Sequence, residues 1–243
     1  MARIAVVTGA AGGMGRAITA RLLEDGLQVV GVDIDAPALL MMAADLGAGF
    51  SAEAVDLTDA EAIADLFDRL VTRHGGVDVL VNNAGTCFMS DFPDIPAGEF
   101  ERQMAVNFGS AFHCCQGAVK AMLSRPGVRK IVNISSNGAY NFDVFDPPHY
   151  RASKAAMDTL TKDLARRYAR EKIAVNSIAP AMTETPLFNV LSEEVLARAI
   201  SAMPHGVAMQ ASQIADWVGF LVSAAGDISS GNVIILNQGR DVR

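Results

Sequence analysis

Tyr150 and Lys154 stand four residues apart in the stretch HYRASKAAMDTL. On a helix this spacing puts a phenol and an ammonium on one face. A free tyrosine, with a pKa of about 10, is a poor proton carrier at neutral pH. A lysine cation beside it stabilises the phenolate and is expected to draw that value toward the working pH. The pair then reads as a general acid/base for interconverting an alcohol and a carbonyl. Spacing alone does not single it out, because Tyr168 and Lys172 repeat it one helix-length later. The setting does. Tyr150 follows an expected strand, Lys130 to Ser135, which ends in the pair Ser135-Ser136, and a loop of Asn, Gly and Pro leads back to it. Tyr168 has no such partner and reads as a solvated helix face.

Short apolar runs alternate with helical patterns along the whole chain. Strands are expected at Ile4 to Thr8, Gln28 to Asp33, Ala52 to Asp56, Val77 to Val81, Lys130 to Ser135, Ile173 to Ile178 and Asn232 to Leu236. Helices are expected over about Gly13 to Glu24, Pro37 to Leu46, from the capping box Thr58-Asp-Ala-Glu61 to His74, Gly98 to Leu123, Tyr150 to Arg170, Glu193 to Ala202 and Ser212 to Ser223. Repeated strand–helix–strand units with apolar strands imply an α/β fold whose parallel sheet is covered on both faces. The stripe of Ile214, Trp217, Phe220 and Leu221 reads as core.

The run TGAAGGMG, Thr8 to Gly15, joins the first strand to the first helix. Glycines there allow a tight turn and close approach of a pyrophosphate to a helix N-terminus. Asp33 ends the second strand 18 residues after Gly15. A carboxylate there accepts both ribose hydroxyls of NAD and repels a 2′-phosphate. Ile34 follows it instead of arginine, and Ala10 to Met14 include no base, so NAD is expected over NADP.

Composition sets the bounds. The 243 residues suit one domain with a full core, and 51% hydrophobic with 19% charged residues describes a globular chain. A net charge of −7 argues against a nucleic acid or an anionic membrane as partner. Cys87, Cys114 and Cys115 form no disulfide framework, so a reducing, cytoplasmic location is expected. No apolar run approaches the ~20 residues of a membrane span, and the opening MARIAVV reads as a buried strand. No metal site is expected: His113, Cys114 and Cys115 are helix neighbours pointing about 100° apart, and they read as core.

Taken in order, these motifs resemble the short-chain dehydrogenase/reductase family over essentially the whole chain. Thr8, Gly9, Gly13 and Gly15 match its TGxxxGxG loop, which also includes Met14. Asp56-Leu57 stand where the family holds adenine, and Asn82-Asn83-Ala84-Gly85 match its NNAG segment. Asn107, Ser136, Tyr150 and Lys154 match its catalytic tetrad. Pro180 and Thr185 match the ends of a PGxxxT segment that folds over the nicotinamide and here includes Thr183. Three departures appear. Ser136 and Tyr150 are one residue farther apart than is usual, so the Pro147-Pro148 loop must absorb a bulge, and Ser135 competes for the catalytic place. Alternation sends the two hydroxyls to opposite faces, and Ser136 is chosen as nearer to Tyr150. Ala181 replaces a glycine, and Asn237-Gln238-Gly239 replace a DGG-like signature.

The resemblance implies a doubly wound Rossmann-type sheet of seven parallel strands, a single domain over residues 1–243 and a flexible substrate lid at about 183–210. It implies that Tyr150 takes the hydroxyl proton while hydride leaves the carbinol carbon, and that Ser136 holds the same oxygen. Lys154 holds the nicotinamide ribose, and Asn107 anchors a water for proton exchange. Asn83, Ala84 and Gly85 join the loop, Asp33, Asp56, Leu57, Pro180, Thr183 and Thr185 in holding the cofactor. It also implies a homotetramer or homodimer, formed through Ala111, Phe112, Cys115, Val119, Met157, Leu160 and Leu164.

The pocket wall is expected from Phe88, Met89, Tyr140, Phe142, Phe145, Leu187, Phe188, Val190 and Leu191, with Cys87 a candidate. The nearby charges are Asp91, Asp143, Asp146, Glu184, Glu193 and Glu194, and Arg198 is the only cation, on a surface helix. A neutral, apolar secondary alcohol or ketone is therefore expected as the small-molecule substrate. Two alternatives stand. One is a 3-oxoacyl-carrier-protein reductase, with Lys130 and Lys172 meeting an acidic carrier. The other is a non-catalytic NADH-binding regulator. Larger related epimerases carry an added C-terminal domain, for which 243 residues leave no room.

Overall fold

Strands β1 (Ile4–Thr8), β2 (Gln28–Asp33), β3 (Phe50–Ala54), β4 (Val79–Asn82), β5 (Arg129–Ile134) and β6 (Ile173–Pro180) build the main sheet with a last strand, β9 (Val233–Leu236). The computed structural model describes residues 2–142, 146–186, 188 and 191–240. The seven strands run in the order β3-β2-β1-β4-β5-β6-β9, and every pair is parallel. A short pair, β7 (Thr183–Glu184) with β8 (Met209–Gln210), lies apart from the sheet, and α7 (Glu193–Ser201) falls between them in the chain.

The central strands β1, β4, β5 and β6 are buried throughout, as a sheet covered on both faces requires. One face packs under α1 (Gly13–Glu24), α2 (Ala36–Leu46) and α8 (Ala211–Val222), through Ile18, Leu22, Leu39 and Ile214. The other packs under α3 (Ala60–His74), α5 (Ser110–Met122) and α6 (Pro148–Arg167), through Leu66, Leu70, Met122 and Ile131. Strand order reverses between β1 and β4, and the crevice beyond their carboxyl ends is where such sheets bind ligands.

Several local expectations are corrected. The third strand starts two residues earlier, because it pairs with β2 from Val29↔Phe50 to Asp33↔Ala54 and Val55 and Asp56 lie past that ladder. Thr58 does not cap α3. Its N–H and hydroxyl donate to Asp56, and Asp59 caps the helix by accepting from Glu61 and Ala62 N–H groups. The long helix is broken into α4 (Ala97–Met104), a π turn (Ala105–Gly109) and α5. The Tyr150 helix ends at Arg167, and Lys172 adopts φ 57°, so Tyr168 and Lys172 share no helix face. Trp217 and Phe220 are 41% and 47% exposed, because α8 buries Ile214, Val218 and Leu221 and turns positions 217 and 220 outward. Ala111 and Met157 point into the chain's own core rather than to a partner.

Candidate active site

The Thr8–Gly15 loop and the segment after β4 are stapled together. Thr8 Oγ1 accepts from the N–H groups of Asn83 (3.0 Å) and Ala84 (3.1 Å). Asn83 Nδ2 donates to the carbonyls of Thr8 and Gly9, both at 3.0 Å. Glycine is required at two turns of this cradle. Gly9 has φ 63°, and a Cβ there would lie 2.8 Å from Ala84 Cα. A Cβ on Gly15 would lie 2.0 Å from the Gly9 carbonyl oxygen. Helix α1 starts after Gly12 with no side-chain cap, which leaves its first N–H groups free to meet an anion.

Beside this cradle runs a cleft of about 710 Å³ lined by Gly9, Asp33, Asp56, Leu57, Asn83, Ala84 and Gly85, among others. Asp33 accepts from the N–H groups of Ala11 (3.0 Å) and Asp35 (3.1 Å), which fixes its carboxylate against the loop. Thr58 holds the Asp56 carboxyl below its usual range through its N–H and hydroxyl. Arg16 donates to the Ala11 carbonyl (2.9 Å) and is not among the residues lining the cleft. The cleft, its glycine cradle and the carboxylate at its rim fit a dinucleotide.

A second, smaller cavity of about 120 Å³ is lined by Met14, Ser136, Tyr150, Pro180, Thr183 and Thr185, with Cys87, Asp146 and Arg240. Tyr150 lies over Lys154, whose Nζ is 5.9 Å from the ring centroid. Lys154 is 4% exposed and donates to the Ile134 carbonyl at 2.8 Å, so it stands behind the cavity rather than on its wall. Ser135 and Ser136 point apart. Ser135 Oγ turns inward to Asp158 (2.9 Å) and the Lys154 carbonyl (3.2 Å). Ser136 Oγ accepts from Gly138 N–H at 3.0 Å and hydrogen-bonds the Tyr150 phenol. Pro147 and Pro148 start α6 as cap and first helical residue.

Asn107 sits in the π turn, a feature often found at functional sites. Its Oδ1 accepts from Thr86 N–H (2.8 Å), and its Nδ2 donates to the Thr86 carbonyl (2.9 Å) and to Ser153 Oγ (3.1 Å). The side chain therefore braces the chain segment behind the cleft.

The electrostatics reverse one expectation. The Tyr150 phenol is pushed up, first by burial and then by the Asp146 carboxylate, with Ser136 opposing. Burial pulls Lys154 down to about 8, against the opposing pull of Asp158. In the cofactor-free chain the lysine therefore gives up its proton before the tyrosine. The Tyr150–Lys154 spacing could not show this, because it includes neither the burial of the phenol nor Asp146, four residues before Tyr150.

Asp158 is a residue that sequence reasoning missed. It is 2% exposed and accepts from three hydroxyls, Ser135 (2.9 Å), Tyr140 (2.8 Å) and Ser177 (2.6 Å). These bonds tie β6 and the end of β5 to α6, which fixes both the strand end that presents Ser136 and the Ile134 carbonyl that receives Lys154. Its only sequence signal is a carboxylate four residues after Lys154.

The expected pocket wall is partly redistributed. Met89, Phe188, Leu191 and Cys87 line the small cavity. Phe88 lines the cofactor cleft instead. Tyr140 points inward to Asp158, and Phe142 is 74% exposed with the Arg151 guanidinium 5.1 Å over its ring. Phe145, Leu187, Val190 and Asp143 lie outside the described residues. Burial raises the Cys87 thiol to about 12, which makes it wall rather than nucleophile. Arg240 also lines the cavity, so Arg198 is not the one cation near the site.

Comparison with known proteins agrees with this fold. The family model described as short chain dehydrogenase matches residues 3–196. D-beta-hydroxybutyrate dehydrogenase of Rhizobium meliloti is 36% identical over 77% of this chain and 74% of its own length. Cis-4-hydroxycyclohexanecarboxylate dehydrogenase of Sinomonas cyclohexanicum is 33% identical over 98% and 96%. The 3-oxoacyl-acyl-carrier-protein reductase FabG of Thermotoga maritima is 30% identical over 98% and 97%. Among solved structures, a short-chain dehydrogenase/reductase of the glucose/ribitol dehydrogenase type from Brucella melitensis superposes with a TM-score of 0.91, at 30% identity and over 99% and 97% of the two chains.

Proposed function

This chain belongs to the short-chain dehydrogenase/reductase family, and we infer that it is an NAD-dependent oxidoreductase that interconverts a secondary alcohol and its ketone. The observation that carries the reading is the convergence of Ser136 and Tyr150 on one small cavity, with Lys154 directly behind. When bound, the nicotinamide accepts or gives hydride. The protein's own part is positioning and proton transfer. Ser136 holds the substrate oxygen, and Tyr150 takes its proton in oxidation or returns it in reduction. Lys154 keeps a positive charge under the phenol and reaches the ribose. Asn107 is read as the anchor of a water through which Lys154 exchanges protons, with its side-chain amide held by Thr86 and Ser153. Residues Thr183, Thr185, Phe188 and Leu191 of the 183–210 segment line the cavity, which supports reading that segment as the substrate lid.

Asp33 supports NAD over NADP. Its carboxylate is held at the rim of the cleft, with Ile34 beside it. The double variant Asp33→Ala with Ile34→Arg is expected to move preference toward NADP by removing repulsion and adding a phosphate partner. Steady-state kcat/KM with each cofactor measures it. A wild-type protein that already prefers NADP contradicts the assignment.

A homotetramer or homodimer is the assembly this reading favours. A groove between α5 and α6 is lined by Phe112, Val119, Leu160 and Leu164, and Phe112 is 37% exposed. Light scattering at micromolar concentration is expected to give a tetramer or dimer mass, and a monomer contradicts it. A cytoplasmic location fits this reading. Among the described residues no helix is long and apolar enough to cross a membrane.

The acyl-carrier reductase reading loses one of its supports. Lys130 is 1% exposed and paired with Asp227 at 2.7 Å, so it cannot greet an acidic carrier. The neutral-substrate expectation also loses its premise, because that premise was the lack of a cation on the pocket wall.

A further inference from the structure

Arg240 follows β9 by four residues, after Gln238 and Gly239, which have φ values of 59° and 86° and turn the chain back. The turn puts a half-buried guanidinium on the wall of the cavity that also holds Ser136 and Tyr150. Among the described residues, Arg240 is the only cation on that wall, and its side chain makes no hydrogen bond or ion pair. The surrounding wall is mostly apolar, with Met14, Met89, Met182, Phe188 and Leu191.

We propose that Arg240 binds the carboxylate of the substrate, so that the chain acts on a small hydroxy acid and its oxo acid. The proposal rests on the oxidoreductase reading above and adds the substrate's second anchor point. A guanidinium presents a planar fork that matches a carboxylate with two parallel hydrogen bonds. In a partly dry, apolar cavity an unpaired charge is costly, so this position gains most from an anionic ligand. Ser136 and Tyr150 fix the hydroxyl end, and Arg240 fixes the acid end. The cavity, about 120 Å³, suits a molecule of few carbons between them.

Asp146 is the rival anion on the same wall. Burial raises its carboxyl above the ordinary range, against the pull of Arg151 and Arg240. It is therefore easier to protonate than an exposed carboxylate, and its competition for Arg240 weakens as pH falls.

The test compares 3-hydroxybutanoate and 3-hydroxycyclohexanecarboxylate, each with its methyl ester, on wild type and Arg240→Gln. Wild type is expected to prefer at least one acid over its ester by tenfold or more in kcat/KM. The variant is expected to lose that preference by about 10- to 100-fold, the worth of hydrogen bonds to a charged group. NADH titration of the variant checks that it is folded. A second arm needs no variant: butanoate is expected to inhibit wild-type turnover of a secondary alcohol at least tenfold more tightly than butanamide. Ester preference in wild type, an acid-to-ester ratio that Arg240→Gln leaves within twofold, or equal inhibition by butanoate and butanamide overturns the proposal and leaves the oxidoreductase reading intact. Absence of turnover with every acid, ester and alcohol, in protein that binds NADH, overturns both.

Discussion

Tyr150→Phe is expected to lower turnover by about 10²–10⁴-fold, the usual worth of a general acid/base, while NADH binding stays near that of wild type. The substitution removes one oxygen and keeps the ring over Lys154. Its effect should therefore fall on kcat and not on cofactor affinity, since the phenol acts on substrate. Tyr168→Phe is the matched control. Tyr168 lies past the end of α6, packed at the edge of the apolar cluster under α3 and α5, and its loss is expected to leave turnover within twofold. Stopped-flow single turnovers with fluorescence titration of NADH separate the two quantities. A Tyr150→Phe protein that keeps more than about a tenth of the wild-type rate removes the phenol from the mechanism.

The second large effect belongs to Lys154→Met. A unit charge about 6 Å away, at an effective dielectric near 20, is worth roughly 2.8 kcal/mol, or about 10²-fold in rate. Lys154 Nζ lies 5.9 Å from the ring it supports. Because the same ammonium reaches the ribose in this reading, NADH affinity should fall as well, which distinguishes it from Tyr150→Phe. A pH dependence follows with a definite sign. Burial pulls Lys154 down to about 8 in the cofactor-free protein, so the ammonium is present below that pH and lost above it. Wild-type kcat/KM for ketone reduction should fall as pH rises past about 8, and the residual rate of Lys154→Met should be flat there. A wild-type profile flat to pH 10, or a variant that retains the limb, assigns that titration to another group.

The boundaries of β1, α1 and β2 were legible because each is a short run whose apolar period and flanking glycines agree. The Thr8–Asn83 staple was legible as two motifs, though not as a contact, because 75 residues separate the partners. Strand alternation made the opposite directions of the Ser135 and Ser136 hydroxyls legible, while Ser136 itself was chosen for its nearness to Tyr150 in the chain. Three things were hidden. The π turn at Asn107 leaves no mark in an apolar helical pattern. Asp158 draws its three hydroxyl partners from β6 and from the stretch just after β5. Arg240 reaches the cavity only through the return of the chain after β9. The direction of the Tyr150 shift was misread because the Tyr150–Lys154 spacing shows neither the burial of the phenol nor the effect of Asp146, four residues before it.

The central claim is hydride transfer between a nicotinamide and a carbinol carbon at Tyr150. The most direct measurement is the absorbance at 340 nm when wild-type protein is mixed with NAD and a panel of small secondary alcohols and hydroxy acids. A steady rise with at least one member of the panel is the predicted result. A flat trace with all of them, in protein that binds NADH, contradicts the claim and leaves a chain that senses the cofactor without turning it over.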